Sequence, residues 1–305
     1  MGILHLLAYL TFAVFVVAIA ARAIRIAKMP VHLRWELYPV PHEKGKAKYG
    51  GSILEELDWW TKERHKDYLG ELKVMIPEIL FLKAIWEYNR KMWFGTFPLH
   101  FGLYLLIGNT VLLAAMGLLS MANVELAFLV PVTYVIGWIG CVLGVIGAVY
   151  MIILRIADSG LAKFSTPSHF LNLFMLGAIY VTGILWLSSD PNVIANSSGF
   201  FRGLVAPSVM PSLPVTAYLF IGFSLVFMFY LPFTHMTHFF TKYFTYHSVR
   251  WEDETNLPGD PLQDKINPQL EQVVTWSAPH VGADGKKNWV DIATSPVPKK
   301  EKEEK

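Results

Sequence analysis

Histidine side chains stand in stretches of this chain that otherwise carry almost no charge. Of the ten histidines, five lie in or beside long apolar runs: His5, His100, His169, His235 and His238. A neutral imidazole is the commonest side-chain ligand of metal ions in proteins. Ionisable residues inside membrane spans are rare and are usually functional. These five positions are therefore the first candidates for chemistry.

The uncharged runs around the histidines predict five membrane-spanning helices. A span needs about 20 predominantly apolar residues, and charged residues make up only 16% of this chain. The predicted helices cover residues 3–26, 95–119, 130–155, 167–188 and 214–241. The first run is interpreted as a span rather than a signal peptide, because no basic segment precedes it. We therefore predict an all-α integral membrane protein, a bundle of five transmembrane helices.

The charges of the loops predict the orientation of this bundle. With five spans, all but one of the 26 basic residues fall on the side that holds the C-terminus, and Arg202 is the exception. The positive-inside rule then puts the N-terminus outside and the C-terminus in the cytoplasm. The prediction is a multi-pass protein of the cytoplasmic (inner) membrane. Its transmembrane domain is 1–246, with a cytoplasmic loop at 28–93.

Two cytoplasmic elements accompany the spans. The spacing of apolar residues in 71–93 predicts an interfacial amphipathic helix. Its apolar face would carry Met75, Ile79, Leu82 and Trp86. The extended tail, 247–305, is predicted to be irregular and too small to form its own core. Its short apolar stretches indicate docking onto a partner subunit, and a loosely ordered tail is the alternative.

The positions of His100 and His238 predict a haem site. His100 lies about 10 Å into the second span from Phe94, at 1.5 Å per residue, and His238 is near the cytoplasmic end of the fifth. Because these spans run in opposite directions, both histidines fall in the cytoplasmic half. Two imidazoles facing each other across an apolar bundle suit the axial positions of haem b. The alternative for each histidine is a capped helix carbonyl or a water cavity.

The other candidates leave alternatives open. His235, one turn before His238, is expected at the haem propionates together with Arg90, Lys91 or Arg155. Three roles are open for His169: it bounds a quinone pocket, it ligates a second haem together with His235, or it simply lies at the membrane interface. His5 is alone at the outer end and is interpreted as structural. A glycine face in the third span permits close approach of a helix or of a flat macrocycle: Gly137, Gly140, Gly144 and Gly147.

Several segments resemble a known family of membrane cytochromes. The segments PLHFGLYLL (98–106) and LPFTHMTHFFTKYF (231–244), with the predicted topology, resemble the gamma subunit of respiratory nitrate reductase. A closer similarity is to the cytochrome b subunits of heterodisulfide-reductase-like membrane complexes, including the sulfite-reductase-associated complex of sulfate reducers. That similarity rests on HLRWELYPVPHE (32–43), IPEILFLKAIWEYNRKMWF (76–94) and WSAPH (276–280).

This resemblance implies an electron-transfer subunit of a menaquinol oxidoreductase in anaerobic respiration, such as sulfate reduction. His100 and His238 match the ligands of the haem nearer the cytoplasm. Menaquinone is the implied substrate. The implied partners are a cytoplasmic iron–sulfur subunit related to the heterodisulfide reductase catalytic chain and other membrane and periplasmic redox subunits, such as a multihaem cytochrome c. Catalysis would be shared with those subunits.

The chain departs from the nitrate reductase pattern at two positions. Where that pattern has further histidines, this chain has Thr110 and Phe220. The outer haem therefore has no matching ligands, and the chain holds either one haem or a second one on His169 and His235. Because an outer quinol would lie roughly 20 Å from an inner haem, we predict a quinone pocket near the inner haem, with His169 as a hydrogen-bonding partner.

Other functional classes fit the sequence less well. The low charge argues against an ordinary soluble enzyme, and together with the high hydrophobicity it excludes a disordered chain. The single Cys141 excludes an iron–sulfur cluster held by cysteines of this chain. A transporter is disfavoured because the spans lack buried charges and inverted repeats. A dihaem cytochrome b561 needs histidine pairs at both membrane faces, whereas the outer face of this chain offers only His5. No feature indicates nucleic acid binding, and a haem-free membrane anchor is the remaining alternative.

Overall fold

The computed structural model describes residues 2–29, 68–206, 212–247, 259 and 261–296. The segment at 32–43 and the charged C-terminal run lie outside the described residues.

The described part of the chain is mainly helical. Its helices are α1 (Ile3–Ala27), α2 (Tyr68–Leu80), α3 (Lys83–Tyr88), α4 (Arg90–Leu119), α5 (Leu129–Ala157), α6 (Ser159–Lys163), α7 (Pro167–Ser189), α8 (Val193–Val205), α9 (Val215–Tyr230), α10 (His238–Thr245), α11 (Pro261–Leu270) and α12 (Trp289–Thr294). A short antiparallel hairpin, β1 (Ser277–Ala278) and β2 (Ala283–Asp284), precedes α12.

Five helices of the described residues are long and apolar enough to cross a membrane. They are Ile3–Ala27, Arg90–Ala122, Leu129–Ala157, Pro167–Ser189 and Val215–Phe233. Their number and approximate positions agree with the sequence prediction and are compatible with an all-α, multi-pass membrane protein. The second helix begins five residues before the predicted start at residue 95. Its N-cap is Asn89, whose side chain accepts a hydrogen bond from the backbone N–H of Met92 (3.1 Å).

The fifth helix is shorter than predicted. The continuous helix expected over 214–241 ends at Tyr230, and 3₁₀ turns at Leu231–Phe233 and His235–Thr237 precede α10. Pro232 explains the break, because proline lacks a backbone N–H and its ring clashes with the carbonyl four residues before it. His235 and His238 therefore follow the candidate span and do not share one continuous helical face.

The predicted amphipathic helix at 71–93 is also interrupted. Leu82 adopts the left-handed backbone region (φ 53°) between α2 and α3, and Asn89 separates α3 from α4. The apolar stripe that was predicted to run through Leu82 is therefore not continuous. The segment is helical on both sides of a sharp bend.

The chain divides into two compact units. The first, here called the spanning unit, comprises Met1–Ile19 and Lys73–Thr237, and the second, the terminal unit, comprises Ala20–Leu72 and His238–Lys305. In the terminal unit, the tail is more regular than predicted. Val274 and Ala283 are buried, and Asn288 and Asp291 form a capping box at the start of α12.

Glycines set the close packing of helices in the spanning unit. Helix α4 packs along α5, α5 along α7, and α7 along α9. A Cβ atom at Gly102 would lie 2.6 Å from the carbonyl oxygen of Gly140, and one at Gly147 would collide with the backbone of Leu99. Of the two explanations for the glycine face, the structure favours contact between helices over a bound macrocycle.

A buried carboxylate organises the connection between α7 and α8. Asp190 accepts hydrogen bonds from the indole N–H of Trp186 (2.9 Å), the backbone N–H of Asn192 (2.9 Å) and the side-chain amide of Asn196 (2.8 Å). Burial favours the neutral acid, but these three donors outweigh it and hold the pKa of Asp190 below its ordinary value. The ionised carboxylate therefore stabilises this connection.

We expect Asp190→Ala to lower the stability of the detergent-solubilised chain by about 1–3 kcal/mol, because buried donors lose their acceptor. A carboxyl with a depressed pKa stabilises the fold fully above its unfolded pKa of about 3.9, and this contribution is lost as the pH falls through the folded value. Thermal unfolding at pH 7 and below pH 4 measures both effects. A variant that unfolds like the wild type at pH 7 would contradict this account.

Candidate functional site

His100 has the tautomer of a metal-ligating histidine. Its Nδ1 lies 2.8 Å from the carbonyl oxygen of Thr96, one turn earlier in α4. Because a carbonyl only accepts, Nδ1 must carry the hydrogen, and Nε2 then carries the lone pair. Histidines that bind metals through Nε2 commonly donate the other N–H to a carbonyl or carboxylate in this way. The donor chemistry of His100 therefore fits an axial haem ligand.

A buried apolar cluster begins at the residue before His100. The neighbouring Leu99 belongs to a buried cluster, here called the Leu99 cluster, that also contains Met151, Leu173 and Tyr180. The buried hydroxyl of Tyr180 donates a hydrogen bond to the carbonyl of Leu99 (3.0 Å) and so fixes α7 against α4 next to His100. An apolar environment of this kind suits a haem macrocycle.

His238 is the first residue of α10 and belongs to the terminal unit, whereas His100 belongs to the spanning unit. The pairing of these two histidines on one haem stays a prediction.

His169 has the opposite tautomer. Its Nδ1 accepts a hydrogen bond from the backbone N–H of Thr166 (3.0 Å), at the first turn of α7. A backbone N–H only donates, so Nδ1 carries the lone pair and the neutral ring has its hydrogen on Nε2. In this state His169 caps the helix and offers a hydrogen-bond donor at Nε2. Among the alternatives for His169, this geometry favours hydrogen bonding over ligation of a second haem iron.

His169 and His235 come together with an asparagine that the sequence analysis did not consider. The two imidazole rings are 4.9 Å apart between centroids, and the side-chain nitrogen of Asn172 lies 3.3 Å from Nε2 of His235. Asn172 is buried, and its Oδ1 has no hydrogen-bonding partner among the described residues. A buried acceptor without a donor is costly. This group, here called the His169–Asn172–His235 cluster, thus joins two imidazoles to a buried acceptor that the described residues leave without a donor.

The His169–Asn172–His235 cluster and His100 flank the same apolar cluster. Leu173 and Met236, which follow Asn172 and His235 in the chain, pack in the Leu99 cluster, and Leu99 itself precedes His100. The polar group and the candidate haem ligand are thus connected through one continuous set of packed side chains.

The basic residues expected at the haem propionates contact other side chains of this chain. Lys91 forms a salt bridge with Asp158 (2.9 Å), and Arg155 donates a hydrogen bond to the hydroxyl of Ser165 (3.1 Å). The guanidinium of Arg90 lies over the ring of Trp86, 4.7 Å from its centroid. The structure does not single out one of them for a propionate.

The remaining positions have structural contacts. Thr110 donates its hydroxyl hydrogen to the carbonyl of Leu106, and Phe220 packs on the indole of Trp186. His5 is fully buried, and its Nε2 lies 3.2 Å from the carbonyl oxygen of Phe200 in α8. This contact agrees with the structural interpretation of His5, since it ties the start of α1 to α8.

Comparison with known proteins gave no relative. No protein-family profile matches this chain, and no curated protein or solved structure matches it either.

Proposed function

We propose that this chain is the haem b subunit of a membrane quinol oxidoreductase that moves electrons between menaquinol and a cytoplasmic iron–sulfur subunit. The observation that carries this proposal is the hydrogen bond from Nδ1 of His100 to the carbonyl of Thr96 inside an uncharged span. It gives a neutral imidazole the tautomer of a metal ligand in apolar surroundings. The resemblance in the segments at 98–106 and 231–244 supports the same function.

His100 and His238 would hold the haem in this proposal. When bound, a b-type haem supplies one-electron transfer. The protein contributes the fixed tautomer of His100, the apolar packing around Leu99, and exclusion of water by that packing. With the tautomer of His100 fixed, His100 and His238 would hold the iron through neutral imidazole nitrogens.

The His169–Asn172–His235 cluster would bind the head group of menaquinol. The unpartnered Oδ1 of Asn172 accepts a hydrogen bond from a quinol hydroxyl, and Nε2–H of His169 donates to the second oxygen. His235 lies beside both, at the exposed side of the cluster after the end of the span. Oxidation of one quinol breaks both O–H bonds: the two protons would pass to solvent at the exposed side of the cluster, and the two electrons would leave one at a time to the haem.

The terminal unit would dock the iron–sulfur partner. Trp276 and Trp289 contact each other edge to face in the described tail, and both are exposed. Exposed tryptophans of this kind are enriched at protein interfaces, which supports the predicted docking of the tail.

Asn172→Leu tests the assignment of the quinol site. We expect the rate at which a menaquinol analogue reduces the haem to fall roughly ten- to hundredfold. Loss of a hydrogen bond in a buried site costs about 1–3 kcal/mol, and each 1.4 kcal/mol is about tenfold. Reduction by dithionite should show an unchanged haem content. The measurement is stopped-flow absorbance of the detergent-solubilised full chain.

Asn109→Leu is the matched control. Asn109 also lies in an apolar helix and also has a buried Oδ1 without a partner among the described residues, but it is not part of the His169–Asn172–His235 cluster. This variant should keep the wild-type rate of haem reduction. Equal rates of haem reduction in Asn172→Leu and the wild type would refute the quinol site. A purified wild-type chain that contains no haem would refute the proposed function itself.

A further inference from the structure

An aromatic cleft lies where α2, α3 and the start of α4 meet. Its volume is about 280 Å³, and its walls are Pro77, Phe81, Lys83, Trp86 and Trp93. All these residues belong to the spanning unit. The lining is apolar apart from one lysine. The quinol and haem residues do not take part in it, so the cleft needs a separate explanation.

The cleft is fixed by hydrogen bonds from α4. The indole N–H of Trp93 donates to the carbonyl of Phe81 (2.8 Å), and the hydroxyl of Tyr104 donates to the carbonyl of Ile79 (2.9 Å). These bonds hold the bend at Leu82, where the backbone leaves the helical region. The carbonyls at the end of α2, which have no helical partner, are thereby satisfied. The cleft is a formed feature of the fold and does not depend on a ligand to shape it.

One wall of the cleft continues down α4 as a row of stacked rings. Trp93 stacks on Phe97 (4.5 Å between centroids), and Phe97 stacks on Phe101 (5.4 Å). The rings are four residues apart, so they follow one face of the helix. Since Met92–Val124 contains no charged residue, this row enters the apolar part of the span. The cleft therefore opens onto a surface that a hydrocarbon chain can follow.

Two basic side chains stand at or near the mouth of the cleft. Lys83 is part of the lining, and the guanidinium of Arg90 lies over Trp86. Glu87, 3.7 Å from Lys83, is the carboxylate seen in contact with them. These charges stand at the level where α4 begins its uncharged run, which is the level of lipid head groups. Cations above an apolar wall match a ligand with an anionic head and a hydrocarbon tail.

We propose that this cleft binds one anionic phospholipid. The phosphate lies at Lys83 and Arg90, and one acyl chain follows Trp86, Trp93 and Phe97 into the bilayer. The site is independent of haem and quinol, and it would fasten the bend between α2 and α3 to the membrane surface. Phosphatidylglycerol is the probe for this site, and phosphatidylcholine of the same acyl chains is the neutral comparison.

Native mass spectrometry of the delipidated full chain, titrated with each lipid, tests the proposal. We expect one phosphatidylglycerol to be retained in preference to phosphatidylcholine. Lys83→Gln and Arg90→Gln should each weaken phosphatidylglycerol binding about fivefold, as a basic residue contributes near an anionic surface. Trp86→Ala should weaken both lipids. Circular dichroism checks that each variant is folded.

Lys163→Gln is the control, because Lys163 is, like Lys83, an exposed lysine at a terminus of a short helix, and it does not line the cleft. It should bind phosphatidylglycerol like the wild type. Equal retention of the two lipids by the wild type would overturn the proposal. So would an equal loss of binding in the Lys83 and Lys163 variants, since that would indicate a general effect of surface charge.

Discussion

Replacing His100 with alanine is expected to remove the haem from the purified chain. In the proposed site the variant would lose the imidazole whose tautomer is set by the carbonyl of Thr96, and a haem b held by one histidine would bind far more weakly. The haem content, measured from the reduced-minus-oxidised absorbance of b-type haem, should fall from about one haem per chain to near zero. The helix itself should persist, because alanine is the best helix former.

His169→Gln is the comparison for that experiment. Glutamine keeps a side chain that can bond to the start of α7, and His169 is assigned to hydrogen bonding. Its haem content should therefore match the wild type. Full haem occupancy in His100→Ala would show that His100 is not a ligand, and loss of haem in His169→Gln would move the ligand set to the cluster around Asn172.

Gly147→Val should severely destabilise the spanning unit. A Cβ at this position would collide with the backbone N and Cα of Leu99, and backbone cannot yield as a flexible side chain does. Overpacking of this kind costs about 3 kcal/mol or more, and α4 and α5 would separate next to His100. We expect low yield, a lower unfolding temperature in detergent and loss of haem.

Gly222→Ala is the matched control, since no atom lies within 4 Å of the added Cβ. It should be neutral or slightly stabilising, because alanine favours helix over glycine. If both variants unfolded at the wild-type temperature, the close contact of α4 with α5 would not exist in the protein. If both were destabilised equally, the effect would come from the helix backbone and not from packing.

Absence of charge was enough to predict the spans, because each apolar helix must satisfy its own backbone in lipid. The bounds at 130–155 and 167–188 lie within two residues of α5 and α7. The fifth span was predicted too long because the apolar run continues past Pro232, although that proline was visible in the sequence. Hydrophobicity alone does not report a missing backbone donor.

The histidine tautomers follow from positions along the helices. His100 lies inside α4, where the carbonyl four residues earlier is within reach, whereas His169 is at the start of α7, where backbone N–H groups have no helical acceptor. That difference could have been predicted from the helix starts. The assignment of ligand and hydrogen-bond donor is thus a consequence of local helix geometry.

Asn172 was not predictable in the same way. An asparagine in an apolar run is most often bonded to its own helix or to another, and only the tertiary contact with His235 identifies it. The left-handed backbone at Leu82 was equally hidden, because bulky residues rarely adopt it. Both features depend on residues distant in the sequence, which neither spacing nor composition encodes.

The most direct test of the central claim is a pyridine haemochrome count, with a reduced-minus-oxidised spectrum, on the purified full-length chain. The proposal predicts one b-type haem per chain. Two haems per chain would contradict the single site on His100 and His238 and would require His169, His235 or His5 as further ligands. A chain that binds no haem would contradict the proposed function and leave a membrane anchor for a redox complex.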